Sequence, residues 1–371
     1  MNKLGKQLAS PKIFFFTAIW LLIILVKGTL AQKDIGLYQS QEYYFSSWFI
    51  MVGGLLPLPG GRLAMAVMFI NLLSKLLFSS KFSVARIGTH IAHFGGLLLL
   101  VGGFITAYYS KEGSMMLYEG DKSAFFDDYH ELEIAIIDTS NPAFDEVTAF
   151  RNEYIDTGAV ISDPSFPGTI KVVEYHRNAD LYRLDSAVPS EFKGMAQRFY
   201  VRGKPLDSEA SRNRAAMIVE VEGLSPVEDG VYIIFQHMQV PQLLNGDGRT
   251  FELSLRNARY PLPFGIELLD FEKVMHPGTM KAKSYSSEVN VMSGELKRRV
   301  EISMNQPMRN RGYTFYQASF VEGQVKEASV FAVVKNAGRQ FPYWSSIIMS
   351  IGLFIHIVLR VIKHVNKGEK A

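Results

Sequence analysis

Apolar positions along the chain gather into four blocks, with one long stretch of mixed character between the third and the fourth. The blocks run over 13–30, 62–78 and 87–109, and then from Tyr343-Trp344 to Ile362. Runs of this length match the hydrocarbon core of a bilayer. The pattern predicts four transmembrane helices, three N-terminal and one C-terminal. A shorter apolar patch, 42–56, lies between the first two blocks. Pro57-Leu58-Pro59-Gly60-Gly61 breaks any helix there, while Tyr43, Tyr44 and Trp48 favour the bilayer boundary. We read 42–56 as an interfacial or re-entrant segment.

The intervening stretch, 110–342, alternates with period two in several places. Ile218-Val219-Glu220-Val221-Glu222, Val231 to Gln236, Val300 to Met304 and Ser329 to Val334 are examples, separated by turn formers such as Asn245-Gly246-Asp247-Gly248. Such runs predict strands, and a large all-β-rich domain of the sandwich or open-barrel kind. Tyr182 to Arg214 is polar without a clear period and is expected to be an insertion, or a short helix with loops. The expected organisation is a membrane region over 1–109, a β-rich domain over 110–342, and a last helix with its tail over 343–371.

Charge orients this arrangement. Lys3, Lys6 and Lys12 precede the first block, and Lys75, Lys81 and Arg86 bracket the loop between the second and third. Arg360, Lys363, Lys367 and Lys370 close and follow the fourth block. With four crossings all three groups fall on one side. The positive-inside rule makes that side cytoplasmic, with both termini cytoplasmic and 110–342 outside. In a bacterium this means a multi-pass protein of the inner (cytoplasmic) membrane with a periplasmic domain. No small-x-small cleavage site follows Ala31, so the first block is expected to be a retained helix. The net charge of +3, without a basic patch interleaved with aromatics, sets nucleic acid aside as a partner. The chain has no cysteine, which excludes disulfides, thiolate metal sites, iron–sulfur clusters and CxxC chemistry.

Candidate chemistry is sparse in the β-rich domain. It has no G-x-S-x-G, H-E-x-x-H, Walker or G-x-G-x-x-G motif, and His130, His176, His237 and His276 are far apart in sequence. The membrane blocks hold His90, His93 and His356. An imidazole in an apolar span is costly and points to function, either ligation of a haem or relay of a proton. His90 and His93, three residues apart, share one helix face and cannot ligate one iron from opposite sides. His93 and His356 fall at similar depths, so a bis-histidine pair is an alternative. Gly88, Ala92, Gly95, Gly96, Gly102 and Gly103 give the third block small-residue positions, suited to close helix packing or to the approach of a flat macrocycle.

The run Val300-Glu301-Ile302-Ser303-Met304-Asn305-Gln306-Pro307-Met308-Arg309-Asn310-Arg311-Gly312-Tyr313-Thr314-Phe315-Tyr316-Gln317-Ala318-Ser319-Phe320 closely resembles the ResB/CcsB family of cytochrome c biogenesis proteins. His93-Phe94-Gly95-Gly96-Leu97-Leu98 is similar to that family's third-span histidine motif. Gly113 to Gly120 resembles the entry to its external domain. The resemblance implies a subunit of the System II cytochrome c synthetase, a haem lyase, that is non-catalytic or partial on its own. A CcsA-like membrane subunit would carry the tryptophan-rich haem-handling segment, which this chain, with three scattered tryptophans, lacks. Haem b, held transiently and shared with that subunit, would be moved across the membrane and presented to the CxxCH of an apocytochrome c. His93 is the implied axial ligand to the haem iron, with His90 second and His356 third. The strand Tyr313-Thr314-Phe315-Tyr316-Gln317 is core, or else a docking surface through Tyr313, Phe315, Tyr316 and Gln317. Two other functions remain open: a non-haem scaffold for a periplasmic complex, and a b-type electron carrier using His93 and His356.

Overall fold

The computed structural model describes residues 3–79, 83–185, 189–279, 282–321 and 326–368. Lys81 and Lys370, used above to orient the chain, lie outside them. The chain divides into two compact units, Met1–Lys111 with Lys335–Ala371, and Glu112–Val334.

The first unit is helical. A short α1 (Lys3–Leu8) precedes α2 (Pro11–Ile35), whose first position is the proline that needs no N–H partner there. Ser10 caps α2, its hydroxyl accepting from Lys12 N at 3.4 Å. After α3 (Leu37–Ser40) and a π-helical turn over Gln41–Phe45, the chain forms an antiparallel hairpin of β1 (Phe49–Val52) and β2 (Leu56–Pro59). Then follow α4 (Gly61–Ser74), which continues through a π turn to Ser79, α5 (Ile87–Tyr109) and α6 (Phe341–Gly368). Among the described residues four helical stretches are long and apolar enough to cross a membrane: Pro11–Ile35, Gly61–Phe78, Val84–Tyr109 and Phe341–Val365. This is a membrane protein with three such helices towards the N-terminus, one at the C-terminus, and a large β-rich domain between them. The first helix extends past its expected 13–30 at both ends.

In lipid, apolar side chains gain little by meeting one another, so helices associate through close backbone approach and a few polar bonds. Both devices are present. Asn71 of α4 donates through Nδ2 to Leu8 O (2.5 Å) and Ser10 O (2.9 Å), satisfying carbonyls left open at the break between α1 and α2. Helices α5 and α6 meet backbone to backbone. A Cβ on Gly352 would stand 2.7 Å from Gly88 O, one on Gly95 would stand 2.6 Å from Met349 Cγ, and one on Gly102 would stand 2.7 Å from Phe341 Cγ. Gly88, Gly95 and Gly102 recur every seven residues, so they line one seam.

The second unit is built of strands. These are β3 (Lys111–Tyr118), β4 (Lys122–Asp138), β5 (Glu146–Arg151), β6 (Val160–Ser162), β7 (Thr169–His176), β8 (Ala179–Arg183) and β9 (Phe199–Gly203). They continue as β10 (Ala216–Glu222), β11 (Gly230–Phe235), β12 (Gln242–Gly246), β13 (Arg249–Met275), β14 (Ala282–Ser293) and β15 (Leu296–Ser303). The last three are β16 (Met308–Asn310), β17 (Tyr313–Val321) and β18 (Ala328–Lys335). The largest sheet has the order β15-β14-β13-β4-β3-β18-β17-β16, with β5 also on β4 and β12 also on β13. A second sheet has the order β11-β10-β7-β6, and β8 and β9 form a separate ladder. Among its described residues, the polar stretch 182–214 holds the end of β8, all of β9 and two short 3₁₀ turns rather than an α-helix.

Strands β4 and β13 are long enough to serve two cores. One half packs Ile134, Ile136, Phe251, Leu253 and Leu255 against Ile170, Val172, Met217, Val219 and Ile234 of the second sheet. The other half curls its sheet around Phe126, Phe264, Ile266, Val289, Phe315 and Phe331. The changeover coincides with breaks in the β4–β13 register at 257/259 and 261/266, where Pro261 and Pro263 interrupt the ladder.

Candidate functional site

Each histidine in the membrane helices has a different setting. His90 is buried within the helical unit, 7% exposed. His93, three positions on, is half-buried, its ring near the backbone carbonyl of Thr89, one turn earlier. His356 of α6 is also half-buried, with Nδ1 3.1 Å from the Thr89 hydroxyl. Thr89 therefore joins the two helices through its side chain, which meets His356. Its role was not read from the sequence, because its partner lies 267 residues away.

The His93 arrangement suits a metal-bound group. An imidazole beside a carbonyl can give it one N–H, which would leave the other nitrogen's lone pair available. The same helix presents Gly96 and Gly103 close to the His93 side of α5. A Cβ on Gly96 would meet only Leu72 Cδ1, at 3.8 Å, and one on Gly103 would meet nothing within 4 Å. A flat ring can approach the backbone along that strip. The six small residues of this span thus divide. Gly88, Gly95 and Gly102 face α6, and Ala92 meets Gly352 of that helix, while Gly96 and Gly103 do not take part in the seam.

The pair His93 and His356 is built differently from a bis-histidine site. Two axial ligands need a macrocycle between them, yet α5 and α6 touch through Gly88 and Gly352 beside His356, whose ring meets the Thr89 hydroxyl of α5.

In the β-rich domain the Tyr313–Gln317 block is mostly interior. Tyr313, Phe315 and Gln317 are 7%, 0% and 5% exposed, whereas Tyr316 is 41% exposed. The expectation of docking through Tyr313, Phe315 and Gln317 is corrected: alternation turns their side chains into the core, and Tyr316 alone of the four faces out. Gln317 is held by Ser287 and Ser329, each 2.8 Å away and each itself buried. The domain's most buried charge is Glu133. It pairs with Arg151 (2.7 Å) and Arg256 (3.0 Å) across the β5–β4–β13 ladder. Nearby, burial pushes the Asp127 carboxyl up, opposed by Arg259 at 3.3 Å. Among the described residues no cluster of three or more His, Asp or Glu side chains could hold a metal ion.

A ResB-like family model matches residues 229–327. The matched stretch contains the whole Val300–Phe320 run, so the ResB/CcsB resemblance read from the sequence is borne out. The match covers β11 to β17 and leaves His93 outside. Protein NrfI of Wolinella succinogenes is 22% identical over 361 residues, which is 93% of this chain. The chain spans only about a third, 34%, of that relative's own length.

Proposed function

We propose that this chain is the ResB-like subunit of a cytochrome c haem-attachment complex in the bacterial inner membrane. Both matches support the broader role in cytochrome c biogenesis. On this reading both termini are cytoplasmic and the β-rich domain is periplasmic. A CcsA-like membrane subunit and an apocytochrome c are the protein partners. The observation that carries the haem assignment is the half-buried His93, near the Thr89 carbonyl and beside the open Gly96–Gly103 strip. When bound, haem supplies the iron that an imidazole ligates and the porphyrin that is joined to CxxCH. This chain's part is to hold the ring, keep one imidazole nitrogen deprotonated and exclude water with the surrounding apolar helices. It contributes no thiol, having no cysteine, so the thiols belong to the client.

The deciding variant is His93→Ala, which removes the ligand without adding bulk or charge, so the helix still inserts and the protein accumulates. Holocytochrome c, read by haem stain with the variant present in membranes, is expected to fall sharply. Added imidazole is expected to restore part of it, and His356→Ala to do much less. Normal holocytochrome c in the His93 variant overturns the assignment and favours the scaffold. Equal loss with either variant favours the electron carrier.

A further inference from the structure

The hairpin of β1 and β2 leaves a large apolar surface uncovered. Trp48, Phe49, Met51, Val52, Leu55 and Leu56 are 51%, 58%, 44%, 51%, 88% and 57% exposed. No charged residue occurs from Tyr43 to Gly61. In water such a tip is an aggregation hazard. In hydrocarbon a hairpin meets a different difficulty, because its outward N–H and C=O groups find no solvent partner.

This hairpin's edges are chemically adapted to that difficulty. The register pairs Phe49 with Pro59, Ile50 with Leu58, Met51 with Pro57 and Val52 with Leu56. Gly60 N donates to Trp48 O at 2.8 Å, which extends the hydrogen-bonded set through 50/58 and 52/56. The outward groups of β2 therefore belong to Pro57 and Pro59, and neither has an N–H to leave unpaired. The outward carbonyl of Pro59 accepts from Trp20 Nε1 at 2.8 Å, and that of Met51 accepts from the Tyr43 hydroxyl at 2.5 Å. Prolines on β2 also forbid a further strand from pairing there, which argues against coverage by another sheet.

The root of the hairpin is fixed to a membrane helix. Trp20 lies in α2 nine residues after Pro11, about 14 Å along the axis, with apolar residues on both sides. Phe45, just before the hairpin, packs on Gly28 of α2, and Ser40 donates to Gly28 O at 2.5 Å. The segment between α2 and α4 thus doubles back along α2. Arg62, the first cation after it, stacks on Tyr108 near the end of α5, 5.5 Å from the ring centroid.

We propose that the hairpin Phe49–Pro59 is inserted into one leaflet of the bilayer, with Leu55 and its neighbours among the acyl chains and proline-blocked, aromatic-capped edges replacing hydration. The proposal rests on the membrane helices and not on the haem reading. The chain's lack of cysteine makes the test direct. Leu55→Cys, at an exposed turn, carries a unique thiol for an environment-sensitive fluorophore on the full chain in phosphatidylcholine vesicles. Most of the emission is expected to be lost when the acyl chains carry bromine, and none when iodide is present on both sides. Val227→Cys, at a 75% exposed site of the β-rich domain, gives the water-exposed reference. Iodide quenching at position 55 overturns the proposal. Shielding from both quenchers also overturns it, because protein then covers the tip. Met51→Cys repeats the measurement if the first variant does not accumulate.

Discussion

The α5–α6 seam and the core around Phe315 hold long elements together by opposite means. In the seam, Gly88, Gly95, Gly102 and Gly352 remove side chains so that backbones meet. In the core, Phe126, Phe315 and Phe331 fill the space between strands and are essentially inaccessible. The surroundings account for the contrast. Water drives apolar side chains inward in the β-rich domain, whereas lipid leaves them indifferent and rewards close packing and scarce polar bonds. Polar groups follow the same division. The helices use single bonds such as Asn71 to Leu8 O, and the β-rich domain can bury Glu133 because two arginines compensate it.

The sharpest way to break the comparison is to put bulk into the seam. Gly88→Leu places side-chain atoms where His356 and Gly352 already stand, and neither helix can yield without losing the Thr89–His356 contact. The variant is expected to be largely lost from membranes by immunoblot, while Gly103→Leu, in open space, accumulates normally. Equal accumulation would mean that the seam is not what holds the helices.

The core answers to the reverse substitution. Phe315→Ala is expected to destabilise the β-rich domain by about 3–5 kcal/mol through lost burial and a residual cavity. Tyr316→Ala, next to it but facing out, is expected to leave the melting of the strand circular-dichroism signal nearly unchanged. A loss of holocytochrome c in the stable Tyr316 variant would identify a contact made by this face.

Glu133→Ala tests the buried charge. It leaves Arg151 and Arg256 without their shared carboxylate, at a cost of about 3 kcal/mol, the low end for a broken buried pair because both arginines keep some solvent. Adding Arg151→Met and Arg256→Met to it is expected to recover much of the loss in the same melt.

The smallest effect belongs to Asp138. Hydrogen bonds from the Ser140 hydroxyl and N–H, then the Arg249 guanidinium, hold its carboxyl below the usual carboxylate range. Its contribution is present above the unfolded-state pKa and is lost as pH falls through the lowered folded-state value. Asp138→Asn is therefore expected to be slightly less stable than the parent near neutrality and to converge with it in acid. A difference independent of pH would refute this.

Much of this protein was legible in its sequence because the signals are local. Four apolar runs, with tyrosine and tryptophan at their rims, determined four candidate membrane helices. Period-two alternation in runs such as Ile218–Glu222 determined strands, and Val300–Phe320 determined the ResB-like resemblance. Hydropathy and period are properties of short windows, so they do not report which face meets which neighbour. The tertiary structure alone decided that Gly88 and Gly95 meet α6 while Gly96 and Gly103 do not. It also decided that the Thr89 side chain meets His356, 267 residues further along, that Tyr313, Phe315 and Gln317 turn inward, and that Glu133 sits between two arginines. Each of these depends on pairing between distant segments, where the free energy of burial and of satisfying polar groups is summed over the whole fold rather than within one run.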